Sequence, residues 1–161
     1  MIFATVGTQL PFPRLIDALD AIAPRLDEPV IAQVGASVAG HWANLDTRQT
    51  LPPHEFSALF GEARVVVSHA GIGSILSARR FGKPLILFPR RAALGEHRND
   101  HQMATVRHVK GLRGVHVAFE QGDLERLLLR PGLDAAGEDG APSPEHLALI
   151  ERLHSFIHDL R

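Results

Sequence analysis

With 161 residues, of which 45% are hydrophobic and 22% charged, the chain has the length and composition of one globular domain with a full core. A formal net charge of -1 gives no general attraction to nucleic acid or anionic lipid, and the absence of cysteine excludes disulfides, iron–sulfur clusters and thiolate zinc sites. The first residues, MIFATV, open directly in a strand-like run without a basic leader, so no signal peptide is expected. No apolar stretch approaches the length that crosses a bilayer. The expected compartment is therefore the cytoplasm, with any membrane contact peripheral or made through a partner.

In chain order, residues 2–6 form the first of five short runs rich in β-branched residues; the others are 30–34, 65–67, 85–88 and 115–118. They are almost continuously apolar, as parallel strands covered on both faces are. After the first run, Leu15, Ile16, Leu19, Ile22 and Ala23 recur with helical spacing and make one apolar stripe. The sequence LPPHE, residues 51–55, starts a second helix with prolines at its front, where a missing N–H costs nothing. Alternating strands and helices predict an α/β fold with a doubly wound, mostly parallel sheet. In such sheets ligands bind beyond the carboxyl ends of the strands.

Residues 129–143 are rich in Gly, Pro, Ala and acid and predict a flexible surface connection. Beyond them Ser143, Pro144 and Glu145 suit a helix start. Leu147, Ile150, Leu153, Ile157 and Leu160 continue it as an amphipathic helix over 144–160. The whole chain, 1–161, thus divides into an α/β core over 1–128, a connection and a terminal helix. That helix packs either on its own core or on another chain, and a partner subunit or a homo-oligomer would then cover its stripe.

Three segments carry candidate chemistry. In SHAGIGS, residues 68–74, a strand passes through a glycine turn into a helix. The first turn of a helix has N–H groups without partners and a dipole that favours anions. Gly71 and Gly73 leave backbone bare for a phosphate, Ser74 adds a hydroxyl, and His69 stands just before the turn. Neither the dinucleotide fingerprint nor a P-loop is met, because Leu76 holds the third glycine position. A second glycine turn, Gly7, Thr8 and Gln9, follows the first strand. The third segment, FPRRAALGEHRNDHQ, holds Arg90, Arg91, Asn99, Asp100, His101 and Gln102 after a central strand. Its amide and carboxylate groups suit sugar hydroxyls, and its arginines suit a diphosphate or a carboxylated sugar. His97 and His101 share a helix face, but no HExxH motif or third ligand accompanies them, so no metal is expected.

VGTQLPF (6–12), VSHAGIGSIL (67–76), GKPLILFP (82–89) and NDHQ (99–102), in this order, resemble the glycosyltransferase family 28 C-terminal domain over residues 1 to about 128. The resemblance implies a single Rossmann-like lobe of the GT-B fold, similar to the small catalytic subunits of split glycosyltransferases. Those include glucuronosyltransferases of bacterial exopolysaccharide synthesis and the enzyme that adds the second N-acetylglucosamine to dolichol-linked precursors. It implies that Gly71, Ile72, Gly73 and Ser74 hold the diphosphate of a UDP-sugar, the substrate, with no further cofactor. Asp100 and Gln102 would contact the sugar, residues 51–56 would lie against uracil, and Gly7 and Thr8 would face the acceptor cleft. Ser77 stands where many relatives carry a ribose-binding glutamate. A separate membrane-anchored subunit would bind the acceptor and supply the base, since no catalytic residue stands out here. A nucleotide-sugar scaffold or sensor without catalysis is the alternative.

Overall fold

The computed structural model describes residues 1–37, 41–137 and Ser155. Six strands form one sheet: β1 (Ile2–Thr5), β2 (Val30–Gln33), β3 (Asp46–Arg48), β4 (Val65–Ser68), β5 (Leu85–Leu87) and β6 (Val115–Val117). Their order is β3-β2-β1-β4-β5-β6, with every pairing parallel. The doubly wound parallel sheet expected from the alternation is the one that forms. Chain direction reverses its winding between β1 and β4, so the loops leaving these two strands diverge and open a crevice.

Five helices cover the two faces. Ile2 and Ala4 of β1, Val65 and Val67 of β4 and Ile86 of β5 meet α1 (Pro13–Ile22) and α5 (Gln121–Leu128). Phe3, Val66, Leu85 and Leu87 meet α2 (Pro53–Glu62), α3 (Ile72–Phe81) and α4 (His101–Val109). Successive side chains of a strand point to opposite faces, so burial on both sides explains the continuous apolar runs. The stripe of α1 is buried as Leu15, Ile16, Leu19 and Ile22, each fully burying roughly 1.5–3 kcal/mol of transfer free energy. Ala23 falls instead in a short 3₁₀ turn, Ala23–Arg25.

Two features differ from the sequence expectation. β3 is an edge strand of three exposed polar residues, and no apolar run marks it. Backbone bonds hold it: Val34 N–H donates to Arg48 O at 2.8 Å and Gly35 N–H to Gln49 O at 2.9 Å. The segment before it is tied to α1 by Trp42 Nε1 donating to Asp17 at 2.8 Å. The connection after α5 is also not loose throughout. Ala136 is buried, its N–H donates to Lys83 O at 3.2 Å, and a Cβ on Gly114 would lie 1.9 Å from its nitrogen. The predicted helix over 144–160 lies outside the described residues, apart from the helical Ser155.

Candidate functional site

A cleft of about 770 Å³ opens at the carboxyl ends of β1 and β4. Gly7, Thr8, Gln9 and Leu10 form one wall, and Gly71, Ile72, Gly73, Ser74 and Ser77 of the β4–α3 turn form the other. Leu51, Pro53, Phe56 and Ser57 also line it, with Arg90, His97 and Gln102 from the loop after β5 and Thr5, Val6, Gln33 and His69 from the strand ends. Among the described residues, no aspartate or glutamate lines it. A surface free of carboxylates does not repel an anion.

The sequence singled out the glycines for ligand approach, and the structure divides that role. The His69 imidazole is wedged between the two glycine turns. A Cβ on Gly7 would lie 2.8 Å from His69 Cε1, and one on Gly71 2.4 Å from His69 Nε2, both inside contact distance. Gly7 also has φ +80°, a conformation L side chains rarely adopt. Gly7 and Gly71 are therefore small because the histidine ring needs the room. Gly73 is different: beyond its chain neighbours and its own helix backbone, a Cβ there would meet none of the described residues within 4 Å, although the residue lines the cleft. Its bare backbone faces open space.

Helix α3 has no side-chain cap at its N-terminus, where Gly71 occupies the cap position. The N–H groups of its first turn are left without helical acceptors at the cleft wall. Ser74 Oγ lies 2.6 Å from Ser68 Oγ, and Ser68 Oγ lies 3.3 Å from His69 Nδ1. Burial, together with the nearby cation of Arg90, lowers the His69 pKa to about 4, so the ring is neutral at pH 7. Thr5 Oγ1 donates to Gln33 Oε1 at 2.8 Å and receives Gly7 N–H at 3.2 Å, which sets the first turn on the strand ends.

The arginine-rich loop corrects the sequence reading. Arg90 is 2% exposed, and its guanidinium donates to Val6 O at 2.9 Å, Leu10 O at 2.7 Å and Pro11 O. It lies 4.5 Å over the Phe12 ring, and burial lowers its pKa to about 10, leaving it charged. Arg90 lines the cleft, but its Nη1 and Nη2 groups serve as the staple that fixes the wall 6–12. Arg91 points away from the cleft, donating to Phe119 O at 2.9 Å and pairing with Glu120 at 2.9 Å. Asp100 is exposed and accepts from Ala92 N–H at 3.0 Å, while Asn99 Oδ1 accepts from His101 N–H at 3.2 Å. These bonds shape the entry to α4, and Arg91, Asn99, Asp100 and His101 are not among the cleft-lining residues.

Gln102 does reach the cleft, where it is 8% exposed. Ala70 N–H at 3.2 Å and Arg90 N–H at 3.0 Å both donate to one of its side-chain atoms, which must therefore be the carbonyl Oε1. Gln102 joins the two loops, and its NH₂ group remains for a ligand. Gln33 lines the cleft without having been singled out, and His97, weighed in the sequence only as a metal ligand, lines it too. A polar residue ending an apolar strand, as in VIAQ, was the available signal for Gln33.

A parallel Rossmann-like sheet with its cleft at the winding reversal is one lobe of the GT-B glycosyltransferase fold. Residues 1–129 match the glycosyltransferase family 28 C-terminal domain, and the chain belongs to that family. No curated protein sequence matches it significantly. Among solved structures, the glycotransferase of kitacinnamycin aligns with 99% of this chain and 39% of its own, at 21% identity and TM-score 0.60. MurG of Acinetobacter baumannii aligns with 78% of this chain and 38% of its own, at 19% identity and TM-score 0.53. The solution structure of ALG13 aligns with 92% of this chain and 94% of its own, at 19% identity and TM-score 0.60. This chain therefore spans well under half of the first two proteins and nearly all of ALG13. At these identities the likeness is one of fold. Among the described residues, no helix is long and apolar enough to cross a membrane.

Proposed function

We propose that this chain is the donor-binding subunit of a glycosyltransferase that moves a hexose from a UDP-sugar to a lipid-linked acceptor. The observation that carries the proposal is the uncapped N-terminus of α3. It opens through Gly73 onto a cleft free of carboxylates and large enough for a nucleotide. In this proposal the diphosphate sits on the N–H groups of Ile72, Gly73 and Ser74. Uracil lies toward Leu51, Pro53 and Phe56, and the hexose meets the free amide of Gln102. Ser77 faces the ribose without the reach of a glutamate.

Transfer would be an inverting displacement at the anomeric carbon, with the departing diphosphate stabilised by backbone N–H groups and the helix dipole. The cleft offers no carboxylate as base, and His69 is too weakly basic to serve. In this proposal a second, membrane-anchored subunit supplies the base, binds the acceptor and holds this chain at the membrane. Glucuronate and N-acetylglucosamine are the two candidate sugars. Of the loop's three arginines, Arg90, Arg91 and Arg98, which suit a carboxylated sugar, the first two are committed to protein carbonyls.

The lack of a carboxylate base among the described residues also fits a nucleotide-sugar scaffold, and a transfer assay separates the two. Labelled UDP-glucuronate and UDP-N-acetylglucosamine are supplied with acceptor membranes, with and without the candidate partner. Label reaching lipid only when both chains are present supports the proposal. Tight UDP-sugar binding with no transfer in any combination supports the scaffold.

A further inference from the structure

The two hydroxyls and the imidazole behind the α3 turn form a chain with only two consistent directions. Ser68 has a single hydroxyl proton, so it donates either to His69 Nδ1 or to Ser74 Oγ, never to both. If Nδ1 is bare, Ser68 donates to it and Ser74 donates to Ser68. Ser74 then shows only lone pairs to the cleft, and these repel a phosphate oxygen. If Nδ1 carries the proton, it donates to Ser68, Ser68 donates to Ser74, and the Ser74 proton is left for the cleft. Because the ring is neutral at pH 7, one nitrogen or the other must be bare, and the choice of tautomer sets the direction.

We propose that His69 is a positioning residue whose Nδ1–H directs the chain through Ser68 to Ser74, presenting the Ser74 hydroxyl as a donor to nucleotide phosphate. The proposal rests on the diphosphate site put forward above and adds the device that orders its only side-chain hydroxyl donor from the α3 first turn. Only this direction leaves Ser74 a proton for the phosphate, and burial and packing keep the chain intact. Ser68 is fully buried and Ser74 is 7% exposed, so water does not readily substitute for either partner. The ring is held between Gly7 and Gly71, so it cannot turn over without moving one of the turns. The other charged or titratable groups facing the ring are Arg90 and His97.

The test uses the full chain labelled with ¹⁵N-histidine and titrated with UDP. Imidazole ¹⁵N shifts distinguish a protonated from a bare Nδ1, and the UDP complex is expected to show His69 protonated at Nδ1. A parallel test compares His69→Asn, whose amide N–H can replace Nδ1–H, with His69→Asp, which has the same shape but can only accept. The carboxylate lowers UDP affinity by two routes, direct repulsion and reversal of the chain. Only reversal depends on Ser74. The Asn-to-Asp affinity ratio should therefore shrink about tenfold in a Ser74→Ala background, the size of one charge-assisted hydrogen bond. Failure of the wild type to bind UDP overturns the donor-site proposal and this one with it. UDP binding with a bare Nδ1, or an affinity ratio unchanged by Ser74→Ala, overturns this inference and leaves the donor site standing.

Discussion

The two loops that flank the cleft are built on opposite plans. In the turn from β4 into α3, the backbone donors at Ile72, Gly73 and Ser74 have no side-chain cap, and the space before Gly73 is empty. In the loop from β5 into α4, nearly every polar group is already matched within the protein. Arg90 holds the carbonyls of Val6, Leu10 and Pro11, Arg91 holds Phe119, Asp100 holds Ala92, and Glu96 is bonded to Arg14. The loop richer in charge spends most of its polar groups on the scaffold, and the loop with almost none keeps its backbone donors uncapped. Charge density in a sequence therefore does not tell which donors are left unsatisfied.

If this contrast is right, substitutions in the arginine loop act on stability and those in the glycine loop act on binding. The largest expected effect is that of Arg90→Ala. It would leave three carbonyls without a donor and a void beside Phe12, at a cost of roughly 3–5 kcal/mol in urea denaturation. Stability within 1 kcal/mol of wild type would move Arg90 back among the ligand contacts.

Gln102→Ala comes next. It orphans the N–H groups of Ala70 and Arg90, so a loss of roughly 2 kcal/mol is expected, with UDP and UDP-sugar both bound more weakly. Gln102→Glu keeps the acceptor and removes the NH₂ donor. In isothermal titration it should weaken UDP-sugar binding more than UDP binding, and equal losses would remove Gln102 from the sugar end.

His69 gives a comparable effect through pH. Its pKa is about 4 in the folded chain against an ordinary value of 6.5, so on acidification the unfolded chain takes up the proton first. Stability from the neutral ring is fully present above pH 6.5 and is lost as pH falls toward 4. Roughly 2 kcal/mol should disappear between pH 7 and pH 5. His69→Gln should flatten that part of the pH–stability curve. An unchanged slope would mean that the ring is not the group responsible.

Much of this architecture was legible in the sequence, for physical reasons. Parallel strands buried on both faces must be apolar throughout, so β1, β2, β4, β5 and β6 announced themselves. β3 did not, because an exposed edge strand is held by its backbone and asks little of its side chains. The glycine turn was readable as a site because strand, glycine and helix are contiguous. The wedge of His69 was not, since it depends on the Gly7 turn meeting the Gly71 turn in space. The scaffold role of Arg90 was not readable for the same reason: the carbonyls it serves lie on a distant segment, and sequence records a charge without recording who satisfies it.

The smallest effect on stability is expected where the effect on binding is greatest. Gly73→Val places a branched side chain in open space at the first turn of α3, costing under about 1 kcal/mol in folding while blocking the backbone N–H groups. The most direct test is a UDP titration followed by backbone amide NMR on the wild type and on Gly73→Val. The account predicts that UDP shifts the amides of Ile72, Gly73 and Ser74 far more than those of Arg91, Asn99 and Asp100, and that the valine variant stays folded and shows no shifts. Shifts centred on Arg91 to Asp100, or undiminished binding by folded Gly73→Val, would contradict it.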